Sequence, residues 1–246
     1  MRTMLKYLFL VCSASSMIGW AVVLIYGGYD DWGLTFTVLG TLFMALWALM
    51  RSDWSHLETR LIVLALFLCA LADYILGVGP FFAGMVSFLV VQVLFCIIFL
   101  RQIHPRRPSV LPFVLWIAFS LVMLGAFILP AIHDGIMKVG VIVYSTFLIC
   151  TASLGADAWL NTVKKNKARD RFAAVGGGMF LLSDMLIGMV YFKVLPISLL
   201  LAFVMMALYW GALISITLSV AEKHGRYRQS KVEVQHTPQH TRVSSV

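Results

Sequence analysis

Long apolar runs separated by short polar breaks set the pattern of the chain. Continuously apolar stretches fall near residues 6–26, 33–50, 60–79, 80–100, 110–130, 136–157, 171–192 and 195–220. Each has about the twenty residues that carry an α-helix across a hydrocarbon core of roughly 30 Å, at about 1.5 Å per residue. The hydrophobic positions are consecutive rather than alternating, and lipid leaves a spanning backbone only helices or closed barrels in which to satisfy its polar groups. The predicted fold is therefore all-α: a polytopic membrane domain of eight transmembrane helices over residues 1–220, followed by a polar tail, 221–246, expected to be disordered. Gly77-Val78-Gly79-Pro80 predicts a tight return between the third and fourth spans.

Composition agrees, since 61% of the residues are hydrophobic and 12% charged, whereas a soluble domain carries about 25% charged residues. Charge adds an orientation. With the N-terminus inside, every Lys and Arg of the 19 except Lys138 and Lys193 falls on the cytoplasmic side, as basic residues in short loops do. Both termini are then cytoplasmic, in a membrane expected to be a bacterial inner membrane. The net charge of +8 is a consequence of this topology, and the clusters at 164–171 and 223–231 are placed to meet anionic headgroups. No basic patch sits on a separate soluble domain, so nucleic acid is not an expected partner. Arg2, Lys6 and Ser13-Ala14-Ser15-Ser16 give the first span some signal-peptide character. Its removal would upset the charge asymmetry, and it is read as a retained span.

The second half of the chain echoes the first. Ala72-Asp73-Tyr74-Ile75-Leu76-Gly77-Val78 matches Ser183-Asp184-Met185-Leu186-Ile187-Gly188-Met189, and Arg60 and Arg171 precede the two aspartates by the same 13 residues. Two parallel four-helix repeats, 1–105 and 106–220, are expected, each bringing an aspartate to the same depth, about 20 Å from the inner face. An ionisable residue at that depth opposes insertion by about 2.5–3.5 kcal/mol. Gly77 and Gly188, one turn beyond each aspartate, are expected to let neighbouring helices approach and turn both carboxylates inward. Two carboxylates in one low-dielectric space do not readily both ionise, which supplies an acid and a base together. Asp157, beside the basic run, is expected to be an interfacial ion-pairing residue.

Gly84, Phe88, Gln92 and Phe95 share one face of the fourth span, which puts an amide near mid-membrane. Tyr144 and Tyr209 add hydroxyls to the sixth and eighth spans. Gly176-Gly177-Gly178 reads as a close-packing surface. Cys12, Cys69, Cys96 and Cys150 lie within spans without CxxC spacing and read as small core residues. His236 and His240 are too few for a metal site, and neither metal nor organic cofactor is expected.

Two signatures now stand out: Asp73 followed by Phe81-x-x-Gly84-Met85-x-Ser87-Phe88-x-x-Val91-Gln92-x-x-Phe95, and Gly176-Gly177-Gly178-Met179-Phe180-Leu181-Leu182-Ser183-Asp184. In them, over about residues 30–220, the chain resembles the YhhN-like lysoplasmalogenase family of integral membrane proteins. The resemblance implies hydrolysis of the vinyl-ether bond of a lysophospholipid substrate to a fatty aldehyde and a glycerophospho-headgroup. Asp73 and Asp184 would be catalytic, with Gln92, Phe88, Tyr144, Ser183 and Tyr209 around the substrate. Two positions depart from the family pattern. Gln92 and Phe95 stand where a His and a Tyr are usual, and Ala212 stands where a Gln usually follows the last tyrosine. The paired carboxylates also describe a proton- or cation-coupled transporter, and the departures a lipid-binding member without catalysis.

Overall fold

The computed structural model of the chain describes residues 2–26, 31–51, 54–101, 109–160 and 167–236. These form α1 (Arg2–Tyr26), α2 (Asp31–Arg51), α3 (Leu57–Val78), α4 (Phe81–Leu100), α5 (Val110–Val122), a π-helical turn (Met123–Ile128), α6 (Leu129–Ala131), α7 (Gly135–Leu160), α8 (Lys167–Tyr191) and α9 (Leu199–His236). Among the described residues there is no strand, and 8 helical segments are long and apolar enough to cross a membrane, with α5, the π-turn and α6 together making one of them. The expected spans agree with these to within a few residues. The last begins later, at Leu199, where the Ser198 hydroxyl accepts the Leu201 N–H at 3.2 Å as an N-cap. Before it, Lys193 takes a left-handed conformation (φ 59°) and the Val194 N–H closes on the Met189 carbonyl at 2.8 Å, an arrangement that ends α8. At its far end α9 continues to His236, overrunning the boundary expected at residue 220. Ala221, Glu222, Lys223, Arg226 and Arg228 are good helix formers. Residues 237–246, His240 among them, lie outside the described part.

Sequential packing follows the same order in both halves, α1 on α2 on α3 on α4, and α5 on α7 on α8 on α9. Contacts of α4 with α7 and of α9 with α2 then close a ring of six helices, with α1 and α5 outside it. The two outer helices expose large apolar side chains, among them Met4, Val11, Val110 and Leu121, as a lipid-facing surface requires.

Small residues set the close approaches, because packing rather than water exclusion holds spans together in lipid. A Cβ on Gly177 would meet Ala152 Cα of α7 at 3.0 Å, and one on Gly176 would meet the Ala212 carbonyl of α9 at 3.1 Å. The glycine triplet thus wedges α8 between its neighbours, and Gly178 faces Trp116 instead. Both glycines that flank the aspartates border a cavity; Gly77 packs tightly on Leu34, whereas Gly188 has only Ile128 at 3.6 Å. The expectation of close packing at Gly188 is corrected accordingly. The π-turn has a local cause. Pro130 has no N–H to give to Ala126, and its ring would strike that carbonyl in a regular helix. Widening the preceding turn relieves both problems, and Leu124 and Ile128 then point into the bundle.

Arg51, Arg60, Arg101 and Arg171 lie at one end of the bundle, and Lys138 and Lys193 at the other. At the arginine end Arg51 stacks over Trp47 and Arg171 over Trp159, and Arg101 Nε pairs with Glu58 Oε1 at 3.3 Å. Asp157 lies at this end as well, near the close of α7, where it was expected; it is 0% exposed, and its Oδ1 accepts the Ser109 backbone N–H at 2.6 Å, anchoring the entry to α5.

Candidate active site

Asp73 and Asp184 come from α3 and α8, and both line one cavity inside the ring. Their positions follow from the register of those helices. Apolar neighbours fill the outward faces, and burying the charged group inward is the alternative to placing it in lipid. Asp73 is 8% exposed and is held from two sides: Oδ2 accepts the Thr41 hydroxyl of α2 at 2.9 Å and the Tyr209 hydroxyl of α9 at 2.8 Å. Asp184 is half-buried, and its Oδ2 accepts the Tyr144 hydroxyl of α7. Among the described residues, no hydrogen bond reaches Oδ1 of either aspartate. Five of the six ring helices thus supply the polar groups of the site.

The cavity has a volume of about 570 Å³, within the range typical of small-molecule sites. Beyond the two carboxylates and their tyrosines its wall carries the Thr37 and Ser145 hydroxyls and the Trp20 indole and is otherwise apolar, with Phe88, Leu148 and Met205 among its residues. Toward the arginine end it is floored by aromatic rings. Phe180 packs edge-on against Phe88, Phe95 and Tyr209 at centroid distances of 6.3, 5.7 and 5.8 Å. Toward the lysine end it reaches Gly79, Pro80, Phe81 and Phe192, at the α3–α4 and α8–α9 returns.

The site residues expected from sequence divide into two groups. Asp73, Asp184, Tyr144, Tyr209 and Phe88 meet at this cavity. Gln92 and Ser183 do not line it, and both are 0% exposed. Ser183 donates to the Met205 carbonyl at 3.0 Å and ties α8 to α9. Gln92 sits behind Tyr144, where its Oε1 accepts the Thr151 hydroxyl at 2.8 Å, and Thr151 in turn contacts the Cys96 sulfur at 3.3 Å. Gln92 therefore backs the site rather than facing it. Two residues were missed. Thr41 is one hydroxyl in a mostly apolar span, signalled only by Thr37 one turn earlier. Cys69, read as core, is fully buried one turn before Asp73, on the helix face that carries the carboxylate.

The sequence model of the YhhN family matches residues 32–220, which takes in every helix of the ring and both aspartates. No curated protein and no solved structure matches the chain.

Proposed function

Because the chain belongs to the YhhN family, we propose that it is a membrane-embedded hydrolase cleaving the vinyl-ether bond of a lysoplasmalogen to a fatty aldehyde and a glycerophospho-headgroup. The observation that carries this reading is the pair of aspartates, from separate helices, opening on one mostly apolar cavity with a tyrosine hydroxyl on each. A vinyl ether is cleaved by protonating its outer alkene carbon, and that step needs a neutral acid and a nearby anion in a site that excludes bulk water.

The two carboxylates differ in a way that suits this division of labour. Asp73, accepting two hydroxyls on one oxygen, is equipped to hold negative charge. Asp184 with a single hydroxyl takes the acid role. Asp184 gives its proton to the alkene carbon, and Asp73 stabilises the oxocarbenium ion that results. Water adds to that ion and passes a proton to Asp73, forming a hemiacetal. Asp73 then protonates the departing glyceryl oxygen while Asp184 takes the hemiacetal hydroxyl proton. The bond breaks, both carboxyls return to their starting states, and one water has been consumed. The headgroup sits at the end bounded by Pro80 and Phe192, which on the N-in topology faces outward. A through-path for a transported ion finds no support in the aromatic floor at Phe95 and Phe180.

Purified protein incubated with a lysoplasmenyl lipid should release aldehyde. Asp73→Asn and Asp184→Asn should each lower the rate by about 10²- to 10⁴-fold, the range for losing a general acid or base. Full activity in either variant removes that residue from the role, and no aldehyde from the unaltered protein removes the hydrolase reading.

A further inference from the structure

A second recess lies between α4 and α7 on the lipid-facing side of the ring. It has a volume of about 480 Å³, and its walls are Phe82, Met85, Val86 and Leu89 on one helix and residues from Gly135 to Tyr144 on the other. Apart from the Tyr144 hydroxyl, no lining side chain carries a polar atom. Val86 and Val139, on opposite walls, are 44% and 62% exposed, so the recess opens sideways rather than into the bundle. Two of its residues, Met85 and Tyr144, also line the cavity that holds the aspartates. The two spaces therefore share those side chains as a common wall, and one of them, Tyr144, hydrogen-bonds to Asp184. Glycine keeps the partition thin. A Cβ on Gly140 would meet Met85 Cε at 2.7 Å and Phe82 Cε2 at 2.8 Å, and Gly135 has nothing within 4 Å.

We propose that this α4–α7 recess is the binding groove for the hydrocarbon chain of the lysolipid, which leaves the active cavity sideways past Met85 and Tyr144 into the surrounding bilayer. The proposal rests on the hydrolase reading for the identity of the lipid. The chemistry of the lining selects the occupant. A saturated chain needs apolar walls and no hydrogen-bond partner, while the reacting bond must stay beside the carboxylates. From Phe82 to Leu89 the groove runs about 10 Å along the membrane normal at about 1.5 Å per residue, long enough to hold a substantial part of a fatty chain in the half of the bilayer where the cavity opens. A methionine is an apt divider, since its unbranched side chain shifts rotamer at little cost.

Two measurements test the groove. The first uses a 1-alkenyl lysophosphatidylcholine with a diazirine in mid-chain, photolysed with the full-length protein in nanodiscs. The expected crosslinks lie on α4 and α7 between Phe82 and Tyr144, and excess unlabelled lysolipid should abolish them. The second compares Val86→Trp and Val139→Trp, which fill the groove from exposed positions, with Val90→Trp, a lipid-facing position on α4 outside it. Aldehyde release from a long-chain substrate should fall at least about tenfold in the two groove variants, because each displaced methylene is worth roughly fourfold. A short-chain substrate should be cleaved by them at the parental rate, and Val90→Trp should match the parent on both. Competable crosslinks on these helices without aldehyde release would uphold the groove and overturn the hydrolase reading. Aldehyde release with non-competable labelling, or with no chain-length effect in the tryptophan variants, would overturn the groove alone.

Discussion

Tyr144→Phe offers a sharp test of the division of roles, because the structure gives Asp184 one hydroxyl partner and Asp73 two. The substitution keeps the ring that lines both the cavity and the groove and deletes only the oxygen. Negative charge appears on Asp184 when its proton leaves for the alkene carbon, so the Tyr144 hydroxyl strengthens its hold in the transition state. A hydrogen bond to a charged group is worth about 1.5–3 kcal/mol, which corresponds to roughly a 10- to 150-fold fall in kcat at about 1.4 kcal/mol per factor of ten. KM should change little, since the interaction matters only as charge develops. Thr41→Val removes one of two donors at Asp73 and should cost less, about tenfold or under. The assay is continuous aldehyde release, coupled to an aldehyde dehydrogenase, at saturating and limiting substrate. A kcat within about threefold of the parent for Tyr144→Phe, or a raised KM at unchanged kcat, would refute the reasoning and reduce Tyr144 to a wall of the binding site.

Gln92→Leu should lower turnover less than Tyr144→Phe, because Gln92 does not line the cavity and can act on the site only through the wall behind it. Parallel kinetics of the two variants decide this. Gly155→Ala places a methyl 2.5 Å from the Ala173 carbonyl oxygen and should destabilise the α7–α8 pair by about 1–3 kcal/mol. Gly125→Ala, with nothing within 4 Å, should leave the thermal midpoint in detergent unchanged or slightly raised. Glu58→Gln should lower stability by no more than about 1 kcal/mol, because Arg101 is nearly half exposed and such pairs are screened. Repeating the melt at high salt checks that small effect.

The eight spans were legible because membrane thickness fixes their length, and an uninterrupted apolar run has no competing interpretation. The inward orientation of Asp73 and Asp184 was legible for a similar reason, since lipid tolerates no other direction. Partner identity was not. That Asp73 would take Tyr209 and Thr41, from helices distant in sequence, depends on how α9 and α2 close the ring, and a hydroxyl in an apolar run carries no mark of its partner. Gln92 and Ser183 illustrate the opposite error. Both share a helix with a true cavity residue, but a turn of rotation or depth separates facing the cavity from bracing the wall behind it. Asp157 was read from its neighbours in sequence as an ion-pairing residue, and the part of its surroundings that reading lacked is the start of α5, whose backbone it holds.

The central claim, that a carboxylic acid in this cavity protonates an alkene carbon, is tested most directly by running the reaction in deuterated, ¹⁸O-enriched water and trapping the aldehyde by reduction as it forms. The mechanism predicts one solvent deuterium on the carbon next to the former ether-bearing carbon and no ¹⁸O in the released glycerophospho-headgroup, with the labelled aldehyde lost in both Asp73→Asn and Asp184→Asn. Aldehyde without deuterium at that carbon, or ¹⁸O in the headgroup, would contradict the account.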